Sequence, residues 1–261
     1  MTEFTNFALR LAAIARAETL PRWAEVGEAA NKAGEAGYDP VTEADVEAER
    51  AMRALIEAEH PDHGVVGEEF GTKPARSRYS WSLDPVDGTR AFVCGLPSWT
   101  TLIALLEGEA PVLGIIDAPR MDELYVGTAE RSRLIAISGE RELRCSGCER
   151  LGQARFSTTD PYLFAGAERD AFEQVRAAAR LTRYGFDAYA YARLAAGSLD
   201  LVVESGLKSW DYQALIPVVR GAGGVVGNWR GEEDFSAGQF VAAATPALFE
   251  QAVAVTRRAA L

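Results

Sequence analysis

Apolar positions along this chain change period about a quarter of the way in. Phe4, Phe7, Leu11, Ile14 and Ala15 recur at three- and four-residue spacing, which predicts a helix over Phe4–Thr19. The same period returns in Ala44, Ala48, Met52, Leu55 and Ile56, predicting a helix over Glu43–Glu59 with Thr42 as its N-cap. Between them, Gly34–Tyr38 reads as a flexible loop. From Val65 onwards the pattern becomes strand-like. Val65–Val66, Trp81–Leu83, Thr100–Leu106, Val112–Ile116, Glu123–Val126 and Leu134–Ile137 predict one antiparallel sheet, with a hairpin turn at Glu107–Ala110. After Cys148 the two periods alternate. Strands are expected near Phe156 and Thr182, at Leu199–Val203 and at Gln239–Ala243. Helices are expected over Glu168–Ala179, Ala188–Ala196, Asp211–Arg220 and Pro246–Arg258. A β-rich first half followed by an α/β second half predicts a layered α/β sandwich, an α+β arrangement. The whole of 1–261 reads as a single domain with lobes 1–148 and 149–261.

Composition narrows the function classes. A net charge of −11 argues against nucleic acid, whose binding needs clustered Lys and Arg. The longest uncharged run, Ala91–Leu106, is broken by Gly95 and Pro97 and falls short of a membrane span. The N-terminus lacks a basic segment followed by an apolar one, so a cytoplasmic setting is expected. Cys145-Ser146-Gly147-Cys148 has zinc-ligand spacing without a second pair, and reduced thiols on a loop are the expected state. Two histidines, His60 and His63, are too few for a phosphohistidine route or a His-rich metal cluster. No Asp-x-Asp-x-Thr segment occurs either. For phosphate chemistry that leaves carboxylate-held Mg²⁺ acting on water.

Asp84-Pro85-Val86-Asp87-Gly88-Thr89 carries the chemistry. A short strand, Tyr79–Leu83, leads into two carboxylates on a proline-stiffened turn, followed by a glycine, a hydroxyl and a possible helix start. Hard oxygen ligands suit Mg²⁺, and backbone N–H groups at a helix start suit a phosphate. Asp, Pro and Gly are also ordinary turn formers, so this segment alone is equally a surface turn. Two further segments add acids: Val65-Val66-Gly67-Glu68-Glu69, an apolar strand ending in a pair, and Trp210-Asp211 before a helix-period run. Gly221-Ala222-Gly223-Gly224 follows a helix rather than a strand, so it reads as a helix end and not a dinucleotide loop.

With these segments and Pro40-Val41-Thr42-Glu43-Ala44-Asp45, the chain resembles the inositol monophosphatase-like family of metal-dependent phosphatases, over nearly its whole length. Gly88–Phe92, Gly185–Tyr191 and Leu199–Lys208 make it most similar to the histidinol-phosphate phosphatases of that family. The resemblance implies an αβαβα sandwich of the inositol monophosphatase/fructose-bisphosphatase type and two or three Mg²⁺ per site. It implies that Glu68, Asp84 and the Val86 carbonyl hold one Mg²⁺, and that Asp84, Asp87 and Asp211 hold a second. Glu68 and Thr89 would orient the attacking water, with Asp45 holding the Thr89 hydroxyl and Glu69 lying behind. Gly88 and Thr89 would receive the phosphate, and Lys32 would approach it from its loop. Asp187 and Glu204 would recognise the amine of L-histidinol phosphate, with Arg90 at the rim. Asp211 at a helix start and Asp187 before Ala188 also fit purely structural capping roles. The same chemistry on inositol monophosphate or another small sugar or nucleotide phosphate is the alternative, and a homodimer is the expected assembly. A fold retained for binding or regulation without turnover would have been free to lose some of these acids.

Overall fold

The computed structural model describes residues 1–24, 30–31 and 40–261. The expected loop at Gly34–Tyr38 and the residue Lys32 lie outside the described residues. Helix α1 (Thr2–Ala24) runs past Thr19 and carries Pro21 in its last turn, where Arg22 Nη1 donates to the Glu18 carbonyl at 2.9 Å. Strands β1 (Ala30–Asn31) and β2 (Pro40–Val41) form a small antiparallel pair. Helix α2 (Glu43–Glu59) starts at Thr42 as expected. Asp45 Oδ2 closes a capping box by accepting from Thr42 N at 2.8 Å.

The first half continues through β3 (Gly64–Gly67), β4 (Gly71–Lys73), β5 (Tyr79–Asp87), α3 (Thr89–Val93), β6 (Thr100–Glu107), β7 (Ala110–Ala118), β8 (Glu123–Thr128), β9 (Ser132–Ala136) and β10 (Gly139–Glu142). These strands form one sheet in the order β10-β9-β8-β7-β6-β5-β3-β4. It is not antiparallel throughout. The β3–β4 hairpin sends the chain back along the sheet edge, and the following crossover lays β5 parallel to β3, with Gly67 opposite Leu83. Both strands therefore end on the same side, which matters for the acids that follow them.

The second half comprises β11 (Arg155–Thr158), α4 (Gly166–Ala178), β12 (Leu181–Tyr184), α5 (Tyr189–Ala195), β13 (Leu201–Glu204), α6 (Ser209–Tyr212), α7 (Leu215–Gly221), β14 (Val225–Gly227), β15 (Phe240–Ala243) and α8 (Pro246–Thr256). Its five-stranded sheet runs β12-β11-β13-β15-β14. The helix expected over Asp211–Arg220 is split. Pro217 has no N–H to donate back to Gln213, so α6 ends and α7 restarts after a two-residue gap.

Alternation along the strands builds the layers. Ile103 and Leu105 of β6 face a core shared with Phe7, Leu11 and Met52 of α1 and α2. Leu102 and Ala104 of the same strand face the opposite way, towards Leu194 of α5 and Val218 of α7. Phe240 and Ala242 of β15 cover that middle layer from the other side. Val241 and Ala243 point outwards, onto Phe172 of α4 and Leu248 of α8. The order is helices, eight strands, helices, five strands, helices, the αβαβα sandwich that the resemblance implied.

Candidate active site

The parallel pairing of β3 with β5 creates the site. Glu68 follows the last residue of β3 and donates its backbone N–H to the Leu83 carbonyl at 3.3 Å, beside Asp84. Strand β5 runs on through the Asp-Pro-x-Asp segment instead of ending before it. A bulge separates Asp84, opposite Leu102, from Asp87, opposite Thr100. Pro85 sits in this bulge, where a missing N–H costs nothing, and its carbonyl accepts from Thr101 Oγ1 at 2.7 Å. Gly88 then takes a left-handed conformation (φ 84°) and starts α3. A Cβ there would lie 2.9 Å from Asp187 Oδ2, so the glycine also admits a side chain from the second half.

Carboxylates from both halves now meet. Glu68, Asp84, Asp87, Asp187, Glu204 and Asp211 line one pocket of about 280 Å³, together with Val86, Gly88, Thr89 and Arg90. Asp45 is buried and does not line it. Burial, reinforced by repulsion from Glu68, Asp87, Asp211 and Asp45, pushes the Asp84 carboxyl well above its ordinary value. Burial and then the Asp187 charge do the same to Asp87. Burial lifts Asp211 to about 7 against the opposing hydrogen bond from Lys208 N. Burial likewise lifts Asp45 to about 6.

Several expected contacts take a different form. The hydrogen bond expected from Thr89 to Asp45 is not made. Thr89 Oγ1 donates to the Val86 carbonyl at 3.1 Å, and Asp45 Oδ2 is occupied by the Thr42 amide and hydroxyl of the α2 cap. Asp45 Oδ1 is buried without a partner. Asp187 does not cap α5. It has φ 47°, the cap position belongs to Ala188, and the Ala188 amide donates to Asp87 Oδ2 at 2.7 Å. Asp211 sits in the first turn of a helix as expected, accepting from Lys208 N at 2.7 Å. Arg90 is an exposed rim residue, 3.5 Å from Asp160.

Glu204 closes the far wall. Its Oε1 accepts from Thr159 N at 2.7 Å and Thr159 Oγ1 at 3.0 Å, and its Oε2 from Thr158 Oγ1 at 3.0 Å. Burial still outweighs these bonds and raises the carboxyl to about 8. Thr159, and Thr100 on Asp87 at 3.2 Å, are partners that sequence reading missed. A run of hydroxyls at the end of a strand, Phe156-Ser157-Thr158-Thr159, was the available signal for the first. Nothing in the sequence pairs Thr100 with Asp87.

The pocket presents hard oxygens whose charges repel one another and are pressed out of water. A divalent cation relieves both costs, so the donor set fits Mg²⁺. Among the described residues, no three carboxylate, imidazole or thiol side chains stand close enough together to enclose an ion, so the fit rests on the donor chemistry. This also applies to Cys145 and Cys148, whose thiols are free; burial raises Cys145 to about 12.

Comparison with known proteins agrees with this layout. The inositol monophosphatase family model matches residues 1–260. A chloroplastic bifunctional phosphatase of Arabidopsis thaliana is 44% identical over 195 residues, covering 74% of this chain and 56% of the plant protein; this chain thus spans little more than half the length of that relative. A histidinol-phosphatase of Chlorobaculum parvum is 34% identical over 82% of each chain. An inositol monophosphatase structure from Zymomonas mobilis superposes with a TM-score of 0.86 at 38% identity over 98% of both chains. Enzymes of this family typically use Mg²⁺. From its fold, its acids and its full-length match, the chain belongs to the inositol monophosphatase family of phosphatases.

Proposed function

We propose that this protein is a Mg²⁺-dependent phosphate monoester hydrolase whose substrate is L-histidinol phosphate, with L-histidinol and phosphate as products for histidine biosynthesis. The observation that carries the substrate reading is the pairing of Asp187 with Glu204 in the pocket that also holds the Asp-Pro-x-Asp-Gly-Thr segment. Two carboxylates beyond the ligand set suit a substrate bearing an ammonium group, whose bond to them is stronger than the one a neutral polyol's hydroxyls can make. Similarity to histidinol-phosphatases, at 34% identity, supports the same reading.

Glu68, Asp84, Asp87, Asp211 and the Val86 carbonyl are the groups that would hold the cations. When bound, these would neutralise the phosphate dianion and lower the pKa of the attacking water. Gly88 leaves room for a phosphate to approach the backbone. Thr89 has its proton committed to Val86 O, so its lone pairs accept a hydrogen bond from water, with Glu68 as the second acceptor. Burial of Asp84 strengthens every charge interaction made on the pocket floor. Asp187 and Glu204 bind the ammonium end and so orient the phosphate end.

The second reading keeps this chemistry with inositol monophosphate as substrate, and similarity to the Zymomonas mobilis enzyme favours it. A cytoplasmic homodimer remains part of the proposal. Three free thiols suit a reducing compartment. Phosphate release with Mg²⁺, comparing kcat/KM for L-histidinol phosphate and inositol 1-phosphate, decides between the substrates. A preference of roughly a hundredfold for the former, about 2.7 kcal/mol in transition-state binding, is expected. A flat or reversed ratio would remove the histidinol assignment and leave the metal chemistry.

A further inference from the structure

Glu49 has no part in the site described above, yet its side chain is wholly buried on α2 (0% exposed), between Ala48 and Met52 of the apolar core. A carboxylate in such a place is costly unless fully partnered. Its partners are specific. Arg53 Nε donates to Oε1 at 2.6 Å, Phe70 N to Oε1 at 3.2 Å and Glu69 N to Oε2 at 2.7 Å.

Glu68, Glu69 and Phe70 are the three residues that join β3 to β4, whose ladder closes at Gly67 opposite Gly71. Their loop thus lies beyond the last β3–β4 rung. Glu49 holds the two amides that follow Glu68. Arg53, which orients Glu49, also donates to the Gly71 carbonyl at the other end of the loop. The Arg50 and Arg53 guanidinium groups lie 5.4 and 5.9 Å from the Phe70 ring centre. Gly67 completes the arrangement, because a Cβ there would come within 2.1 Å of Glu49 Oε1. The absent side chain is what lets the carboxylate reach the loop.

We propose that Glu49 is a positioning residue: it clamps the Glu68–Phe70 loop and thereby sets where the Glu68 carboxylate stands in the pocket. The inference rests on the functional reading only in taking Glu68 as a cation ligand. Partners standing behind ligands typically change metal affinity or activity by roughly 10–100-fold when removed. Glu49→Gln preserves shape but turns an amide NH₂ towards backbone N–H groups or Arg53.

Three measurements on wild type and Glu49→Gln test this: calorimetric titration with Mg²⁺, phosphate release from p-nitrophenyl phosphate against Mg²⁺ concentration, and metal-free amide hydrogen exchange. Expected are an increase of about tenfold in both the Mg²⁺ dissociation constant and the half-saturating Mg²⁺ concentration. The kcat at saturating Mg²⁺ should fall by a smaller factor. Exchange should quicken at Glu69 and Phe70 while β6 and β7 stay protected. Unchanged Mg²⁺ affinity, or unchanged exchange at these two amides, would overturn the proposal. Should Glu49→Gln lose core protection, Gly67→Ala serves instead, since it displaces the carboxylate without removing it. It should produce the same shifts, and wild-type values for it would equally overturn the clamp. Wild type that neither binds Mg²⁺ nor releases phosphate would refute the functional reading, whereas the exchange data would still decide whether Glu49 holds the loop.

Discussion

Gly88→Ala tests the junction on which the site depends. Gly88 has φ 84°, a left-handed conformation that costs an alanine about 1 kcal/mol. The added methyl would also stand 2.9 Å from Asp187 Oδ2 and 3.2 Å from its Cγ. Asp187 has little freedom to yield, since it is short, half-buried and itself at φ 47°. Relieving an overpacked contact of this kind costs about 2 kcal/mol. The sum, about 3 kcal/mol, corresponds to a Tm lowered by roughly 6–10 °C in a chain of this size. Displacing Asp187 or the phosphate by about 1 Å should lower kcat/KM on the order of a hundredfold. Differential scanning calorimetry and phosphate-release kinetics on L-histidinol phosphate and inositol 1-phosphate read both effects. Because the clash falls on Asp187, the loss should be larger for the amine-bearing substrate. A variant with wild-type Tm and kcat/KM would refute the close approach of the two halves at this point.

Asp187→Asn should reduce kcat/KM for L-histidinol phosphate by about tenfold or more through loss of a charge-assisted bond, while changing that for inositol 1-phosphate by less than about threefold. Equal losses on both substrates would rule out amine recognition. Glu204 predicts a pH effect on stability. Its folded pKa is raised, from 4.5 to about 8, so its contribution is fully present below pH 4.5 and is lost as pH rises through about 8. Thermal unfolding of metal-free wild type should therefore decline more steeply over this window than that of Glu204→Gln, and parallel curves would contradict the buried-acid account. Removing divalent cations with EDTA should abolish phosphate release, and excess Mg²⁺ should restore it. Activity that survives chelation would exclude the metal chemistry.

Legibility of the fold and site followed the range of the forces involved. Helix α2, its Thr42 cap and the strands β6, β7 and β8 could be read directly, because their periodicity and capping are set by residues a few positions apart. The αβαβα order and the list of acids came from the resemblance of spaced motifs, and the structure brings six of those acids into one pocket. Other features depended on partners far away in sequence. The parallel direction of β5 against β3, decided by the crossover between them, is what puts Glu68 beside Asp84; an antiparallel pair would have left them at opposite ends. Asp187 looked locally like a helix cap, but Ala188 holds the cap position, and its amide donates to Asp87, a hundred positions earlier. Nothing in the sequence sets Glu49 apart from the other charges of Glu43–Glu59. Only the hairpin folded over it reveals a buried acceptor for two loop amides. Local propensity thus determined which segments could become helix or strand and which residues could bind metal or phosphate. The tertiary fold decided which of their hydrogen-bonding groups meet, because a buried donor takes the acceptor nearest in space, whatever its distance along the chain.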